Sequence, residues 1–268
     1  MTGISMYEAK TLTVTAADHV AEITLTRPEV MNAFDAALHD DFLEALGVLR
    51  EAGDVRAVVL ASTGKAFSAG GDFDFMRQGH DDPVFLRRHM DVGRHLLYSL
   101  VDLPLPIVVA LQGAAIGLGA TVALACDCVV AARSAVLADP HVNIGLVAGD
   151  GGCLVWPAAM GLLRAKRYLL TGDRLPAEEA HRFGLVTDLV DEPDDALPAA
   201  RALAARIAAL PPLAVQGTKR ALANVMRARA SEVVDFAFAL EIASAASDDL
   251  LEAVAAFKER RPGVYQGR

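Results

Sequence analysis

The sequence predicts an α/β fold, and three observations carry that prediction. Two short, wholly apolar runs, AVVLA at 57–61 and IVVAL at 107–111, each lead into a glycine-containing turn: F-S-A-G-G-D at 67–72 and Q-G-A-A-I-G-L-G at 112–119. A run of that length between turn signals reads as a strand buried on both faces. Around these strands lie longer segments with apolar residues at helical spacing. The chain has 268 residues, of which 53% are hydrophobic, enough for one large domain with a sizeable core.

Taken in order, residues 11–15 and 19–26 alternate and are split by Ala17-Asp18, which reads as a hairpin. Arg27-Pro28 ends it, because proline cannot donate to a ladder. Asp35 then caps a helix to about residue 51, with Leu38, Phe42, Leu46 and Leu49 on one stripe. A strand at 55–62 enters the first glycine turn. Phe73, Phe75 and Met76 follow on a short helix, as pocket walls or packing groups. A second helix spans about 83–101. It carries His89 and His95, which read as surface or satisfied core histidines. The stiff L-P-L-P at 103–106 introduces the second buried strand and the second glycine turn. A helix from 118 to about 125, nearly all small or aliphatic, should be buried. A strand at 127–132 follows, with Asp127 as a turn or capping acid. The segment D-P-H-V-N-I-G-L-V-A-G-D-G-G at 139–152 is the richest in chemistry. Helices around Trp156, at 161–170 and at 176–183, and a short strand at 184–188, complete this part. The acidic D-E-P-D-D at 191–195 divides a core, 1–195, from a helical region, 196–268. That region reads as four helices, 196–209, 211–224, 231–246 and 248–260. Their many Ala and Leu residues need partners on several faces. Lys219 reads as helical surface.

Composition excludes several roles. A formal net charge of −9 argues against nucleic acid or an anionic membrane as a general partner. No stretch approaches the ~20 apolar residues of a membrane span. The start, with Glu8, lacks the basic and apolar regions of a secretion signal. The three cysteines, Cys126, Cys128 and Cys153, fit reduced thiols in a cytoplasmic protein better than a disulfide framework or a zinc site.

Glycine lets another group approach the main chain closely. Two glycine turns that converge can each offer a backbone N–H to one oxygen, and a helix N-terminus behind one adds a favourable dipole. With these turns in order, L-T-R-P…N-A at 25–33, L-T-G-D-R-L at 170–175 and G-L-V at 184–186, the chain resembles the crotonase (enoyl-CoA hydratase/isomerase) superfamily over nearly its whole length. The resemblance implies a spiral of ββα units and a C-terminal helical region that forms a homotrimer or a dimer of trimers. It assigns the two amides to Ala69 and Leu118, holding the thioester oxygen of an acyl-CoA. No separate cofactor is implied, coenzyme A entering as part of the substrate. Main chain at Ala66, Phe67 and Ala69, the basic Arg27 and Lys65, and Phe257 and Lys258 in the tail are the implied contacts to coenzyme A.

Hydratases of this family usually carry two glutamates, and the matching positions here are Thr121 and His141. A threonine hydroxyl does not ionise usefully near neutral pH. What remains is His141 with Asp150, nine residues later. A histidine titrates near neutrality, and a carboxylate can orient it. A subset of the superfamily that resembles this pattern hydrolyses carbon–carbon bonds in diketones. Three functions follow as expectations: an acyl-CoA hydratase or isomerase with a substituted acid/base set, a carbon–carbon hydrolase using His141 and Asp150, or a non-catalytic acyl-CoA-binding protein.

Overall fold

The computed structural model describes residues 3–268, except the side chain of Phe75, whose expected place at a pocket wall lies outside the described residues. Among the described residues, eleven strands and ten α-helices follow in the order β1 (Ile4–Glu8), β2 (Leu12–Ala17), β3 (Val20–Leu25), α1 (Ala36–Glu51), β4 (Ala57–Ser62), β5 (Ala66–Ser68), α2 (Phe73–Asp81), α3 (Pro83–Asp102), β6 (Ile107–Leu111), β7 (Ala114–Ile116), α4 (Leu118–Leu124), β8 (Cys128–Ala132), β9 (Val136–Ala138), α5 (Gly152–Met160), α6 (Leu162–Leu169), β10 (Leu175–Pro176), α7 (Ala177–Phe183), β11 (Asp188–Val190), α8 (Ala196–Ala208), α9 (Pro212–Ala245) and α10 (Asp248–Glu259).

The strands form two sheets, in the orders β1-β2-β3-β4-β6-β8-β11 and β10-β9-β7-β5. The predicted hairpin is β2–β3, antiparallel, and β1 extends it as a strand the sequence pattern did not reveal. From β3 to β11 the large sheet is parallel. The pairs β4/β5, β6/β7 and β8/β9 each place one strand in the large sheet and the next in the small one. This is the spiral of ββα units that the resemblance implied.

Both faces of the large sheet are covered, which explains its unbroken apolar strands. Along β4, Val58 and Leu60 face the main core with α1 and α3, whereas Ala57, Val59 and Ala61 face a second core. There α8 presents Ala200, Ala204 and Ala208, four residues apart, so helix and sheet approach closely.

Two expectations about the tail need correction. The helices read at 211–224 and 231–246 are one 34-residue helix, α9. The intervening V-M-R-A-R-A contains no Gly or Pro and is made mostly of good helix formers, so nothing stops the helix. Lys219 is buried rather than surface-exposed. Its ammonium donates to Asp127 (2.6 Å) and to the Leu105 carbonyl (2.8 Å), and Asp127 also accepts from the Ile107 amide (2.7 Å). That knot pins α9 to the β6 end of the sheet. The tail also reaches the site, because Phe238 and Glu241 of α9 and Leu250 of α10 line the same cavity as residues of the core.

Candidate active site

The two glycine turns touch each other. A Cβ added to Gly70, whose φ is +83°, would lie 2.5 Å from the Ile116 carbonyl oxygen. One added to Gly119 would lie 2.7 Å from the Ser68 Cβ. Asn32 braces the first turn from inside. Its amide donates to the carbonyls of Thr63 (2.9 Å) and Ala66 (3.3 Å), and its own carbonyl accepts from Ser68 Oγ (2.8 Å).

The free amides differ from the expected pair in one member. Ala69 N donates to the Met31 carbonyl (2.9 Å) and so is unavailable to a ligand. Two residues on, Phe34 N donates to Gly70 O (2.7 Å) and Asp72 N to Phe34 O (3.2 Å). This bridge leaves the Gly71 amide with no hydrogen bond to any described group. Leu118 N, at the first residue of α4, likewise has none, as expected for a helix start. Gly71 and Leu118 line one cavity. The family pattern points to this loop, and the strand-like bridge to Phe34 decides which of its amides is free.

His141 stands at the same cavity, 6% exposed, between two buried carboxylates. Nδ1 meets Asp139 Oδ1 at 2.5 Å, and Nε2 lies 3.4 Å from Asp150 Oδ2. Asp150 is oriented by Thr121 Oγ1, which donates to Oδ1 (3.2 Å), and by Gly152 N (3.3 Å). Burial opposes charge on His141, but Asp139, Asp150 and the Asp139 hydrogen bond outweigh it and raise its pKa well above 6.5. Burial raises the Asp150 pKa above the usual carboxylate range, with Asp139 adding to it and His141 opposing. The site therefore rests with an imidazolium beside a carboxylate that holds a proton better than an ordinary aspartate. Asp139, His141 and Asp150 bring three donor atoms within 4.8 Å of one another. His141 Nδ1 is already taken by Asp139, so the donor set fits proton transfer better than a metal ion.

The remaining wall is apolar, with Phe34, Phe85, Met90, Leu146 and Phe238. Two histidines interrupt it. His39 packs edge-on against His89 (5.6 Å between ring centres), and His89 stacks on Phe85 (4.8 Å). Burial lowers both pKa values, that of His89 to about 4 with His39 adding to the effect, so both rings are neutral near pH 7.

Residues 15–268 match the family model described as enoyl-CoA hydratase/isomerase. The chain belongs to that family. A probable enoyl-CoA hydratase of Rhodobacter capsulatus is 37% identical over 254 residues, covering 93% of this chain and 95% of the relative. The (E)-benzylidenesuccinyl-CoA hydratase of Thauera aromatica is 33% identical over 257 residues, covering 96% and 99%. A solved enoyl-CoA hydratase/isomerase structure from Mycobacterium paratuberculosis superposes with a TM-score of 0.88 at 36% identity, covering 93% of this chain and 99% of that one.

Set against the family pattern, the expected site residues have different surroundings. Leu118, His141 and Asp150 come together at the cavity. Arg27 does not offer a free guanidinium: it is held by Asp35 (2.6 and 3.0 Å) and the Ala33 carbonyl (2.7 Å). Phe67 is fully buried, so only its main chain could meet a ligand, and the Ala66 carbonyl already accepts from Asn32. Lys65 is exposed. Phe257 and Lys258 lie against α2 of their own chain, Phe257 on Phe73 (5.1 Å between centres) and Lys258 near Asp74 (3.6 Å).

Sequence reasoning missed Asp139, Gly71, Glu241 and His39. Asp139 sits in D-P-H, two residues from the histidine it holds, and that proximity was a usable signal. Glu241 lies in an Ala-rich helix about a hundred residues away in sequence, and nothing local marks it.

Proposed function

We propose that this enoyl-CoA hydratase/isomerase family member cleaves a carbon–carbon bond of a β-dicarbonyl compound with water. The observation that carries this reading is the imidazole of His141 held between two buried carboxylates at the cavity wall, while Thr121 uses its hydroxyl to orient one of them. Asp150 Oδ2, buried and without a hydrogen-bond partner among the described residues, is the proton acceptor. Water attacks one carbonyl carbon and gives its proton to Asp150. The His141 imidazolium steadies the charges beside it. The carbon–carbon bond breaks as the new carboxyl group forms, and its electron pair becomes an enolate on the second carbonyl. The Gly71 and Leu118 amides stabilise that enolate oxygen, and one such donor is worth roughly 2.7–4 kcal/mol where it has been removed. Asp150 returns the proton to the enolate carbon. The products are a carboxylic acid and a ketone.

A second reading is supported by the relatives, several of which are hydratases or isomerases of CoA thioesters. In it, the same amides hold a thioester oxygen and the His141 group adds or moves a proton. A third, an acyl-CoA-binding protein without turnover, uses only the amides. The exposed Leu213, Leu222, Val225 and Phe236 of α9 support assembly into a homotrimer or a dimer of trimers, which light scattering tests.

The deciding experiment compares turnover of cyclic β-diketones with hydration of crotonyl-CoA, in wild type and in Asp150→Asn. The reading expects diketone cleavage that falls roughly 10²–10⁴-fold in the variant. Hydration of crotonyl-CoA at ordinary hydratase rates, with no diketone cleavage, would support the second reading instead. Binding without turnover of either substrate would support the third.

A further inference from the structure

Glu241 is a buried carboxyl group at the cavity that the proposed reaction does not use. It lies on α9, is 4% exposed, and lines the cavity with Asp150 and His141. The opposite loop is shaped around it. A Cβ on Gly149 would lie 2.5 Å from the Ala237 carbonyl oxygen and 2.6 Å from Glu241 Oε2, so any side chain there would displace Glu241 or the helix. The Val147 amide donates to Ser244 Oγ (3.1 Å), one turn further along α9, and holds the loop in that close approach. Glu241 Oε2 itself is buried with no hydrogen-bond partner among the described residues.

Such an oxygen is costly to leave without a partner. It is also a poor place for a second negative charge. Asp150 and Asp139 face it, opposed by His141, and Cys153 of α5 lies nearby. Across the cavity stand the neutral rings of His39 and His89, and His80 of α2 bonds to the Ala245 carbonyl at the end of the same helix. Burial first, then Asp150, push the Glu241 carboxyl up to about 8. At neutral pH it is a carboxylic acid with an O–H to donate.

We propose that Glu241 donates its carboxyl hydrogen to a second oxygen of the substrate, so that the site takes compounds with two carbonyl groups, one at the Gly71 and Leu118 amides and the other at Glu241. This rests on the hydrolase reading and adds the group that meets the second substrate oxygen. When water adds to the carbonyl held by Glu241, the π pair moves onto that oxygen and the Glu241 O–H stabilises it. When the tetrahedral centre collapses, the C=O bond re-forms, the carbon–carbon pair leaves towards the carbonyl at the amides, and Glu241 keeps its proton. Water supplies all the atoms added.

The test uses full-length wild type, Glu241→Gln and Glu241→Ala, each checked for folding by circular dichroism. Infrared difference spectra should show a carboxylic acid band that disappears with a midpoint near pH 8 in wild type and is missing in Glu241→Gln. With a cyclic β-diketone whose central carbon carries two methyl groups, wild-type cleavage should fall above about pH 8. Glu241→Gln keeps a donor that cannot ionise, so it should stay within roughly tenfold of wild type at neutral pH and lose that alkaline limb. Glu241→Ala should fall about a hundredfold, mainly in kcat. Persistence of the limb or of the band in Glu241→Gln, or wild-type activity in Glu241→Ala, would overturn the assignment. If wild type binds the diketone with one carbonyl band shifted in a Glu241-dependent way but does not cleave it, the hydrolase reading fails and the Glu241 assignment stands. If it does not bind the diketone at all, both fail.

Discussion

Replacing Glu241 with glutamine should stabilise the protein, and increasingly so as the pH rises. The carboxyl has an ordinary value of 4.5 and is pushed up to about 8 in the fold. A raised carboxyl binds its proton more tightly folded than unfolded. Its contribution to stability is therefore present below the unfolded value and lost as pH rises through about 8. At about 1.36 kcal/mol per pH unit, that gap corresponds to roughly 4–5 kcal/mol. The glutamine variant has no proton to lose, so it avoids this cost. The assay is urea unfolding of both proteins from about pH 4.5 to just above pH 8. Taking the difference between the two at each pH cancels the other titrating groups. The difference should widen by a few kcal/mol in favour of Glu241→Gln and flatten above about pH 8. Parallel curves across that range would show that Glu241 titrates normally, and would refute its place as a buried neutral acid.

Three further outcomes follow from particular contacts. Asp139→Asn should lower the His141 pKa and cut turnover by roughly 10²–10⁴-fold. His141 is raised above its ordinary value, so the stability it brings is present below about 6.5 and disappears as pH rises through its folded value. Nitrogen-15 spectra showing a neutral His141 in wild type at pH 7 would contradict this. Gly152→Ala would drive a Cβ into Asp139 Oδ2, so it should cost about 1–3 kcal/mol in thermal unfolding and damage turnover as well. Arg27→Ala should destabilise by about 1.5–3 kcal/mol and leave KM unchanged, because the guanidinium is already bonded to Asp35 and Ala33. A large rise in KM without loss of stability would restore it as a ligand contact.

Much of the fold was legible because its signals are local. The apolar runs of β4 and β6, the Asp35 cap and the glycine turns each announce themselves within a few residues. The reading went wrong where long-range contact decides. Lys219 looks like any helical lysine until Asp127 and Leu105 are brought to it across the sheet. The Ala69 amide is taken by the Met31 carbonyl, while the bridge between Phe34 and Gly71 leaves the next amide but one free. The pairing of His141 with Asp150 was visible as a spacing. The second carboxylate, Asp139, was hidden in plain view beside it. Glu241 could not be found from sequence at all, since its meaning comes from where a 34-residue helix crosses the cavity.

The most direct measurement is a crystal structure of the Asp150→Asn variant with a bound cyclic β-diketone. One substrate oxygen should lie about 3 Å from both Gly71 N and Leu118 N, with His141 and residue 150 beside the neighbouring carbonyl carbon. A substrate whose oxygens avoid both amides, or whose reactive carbon lies out of reach of His141, would contradict the account at its centre.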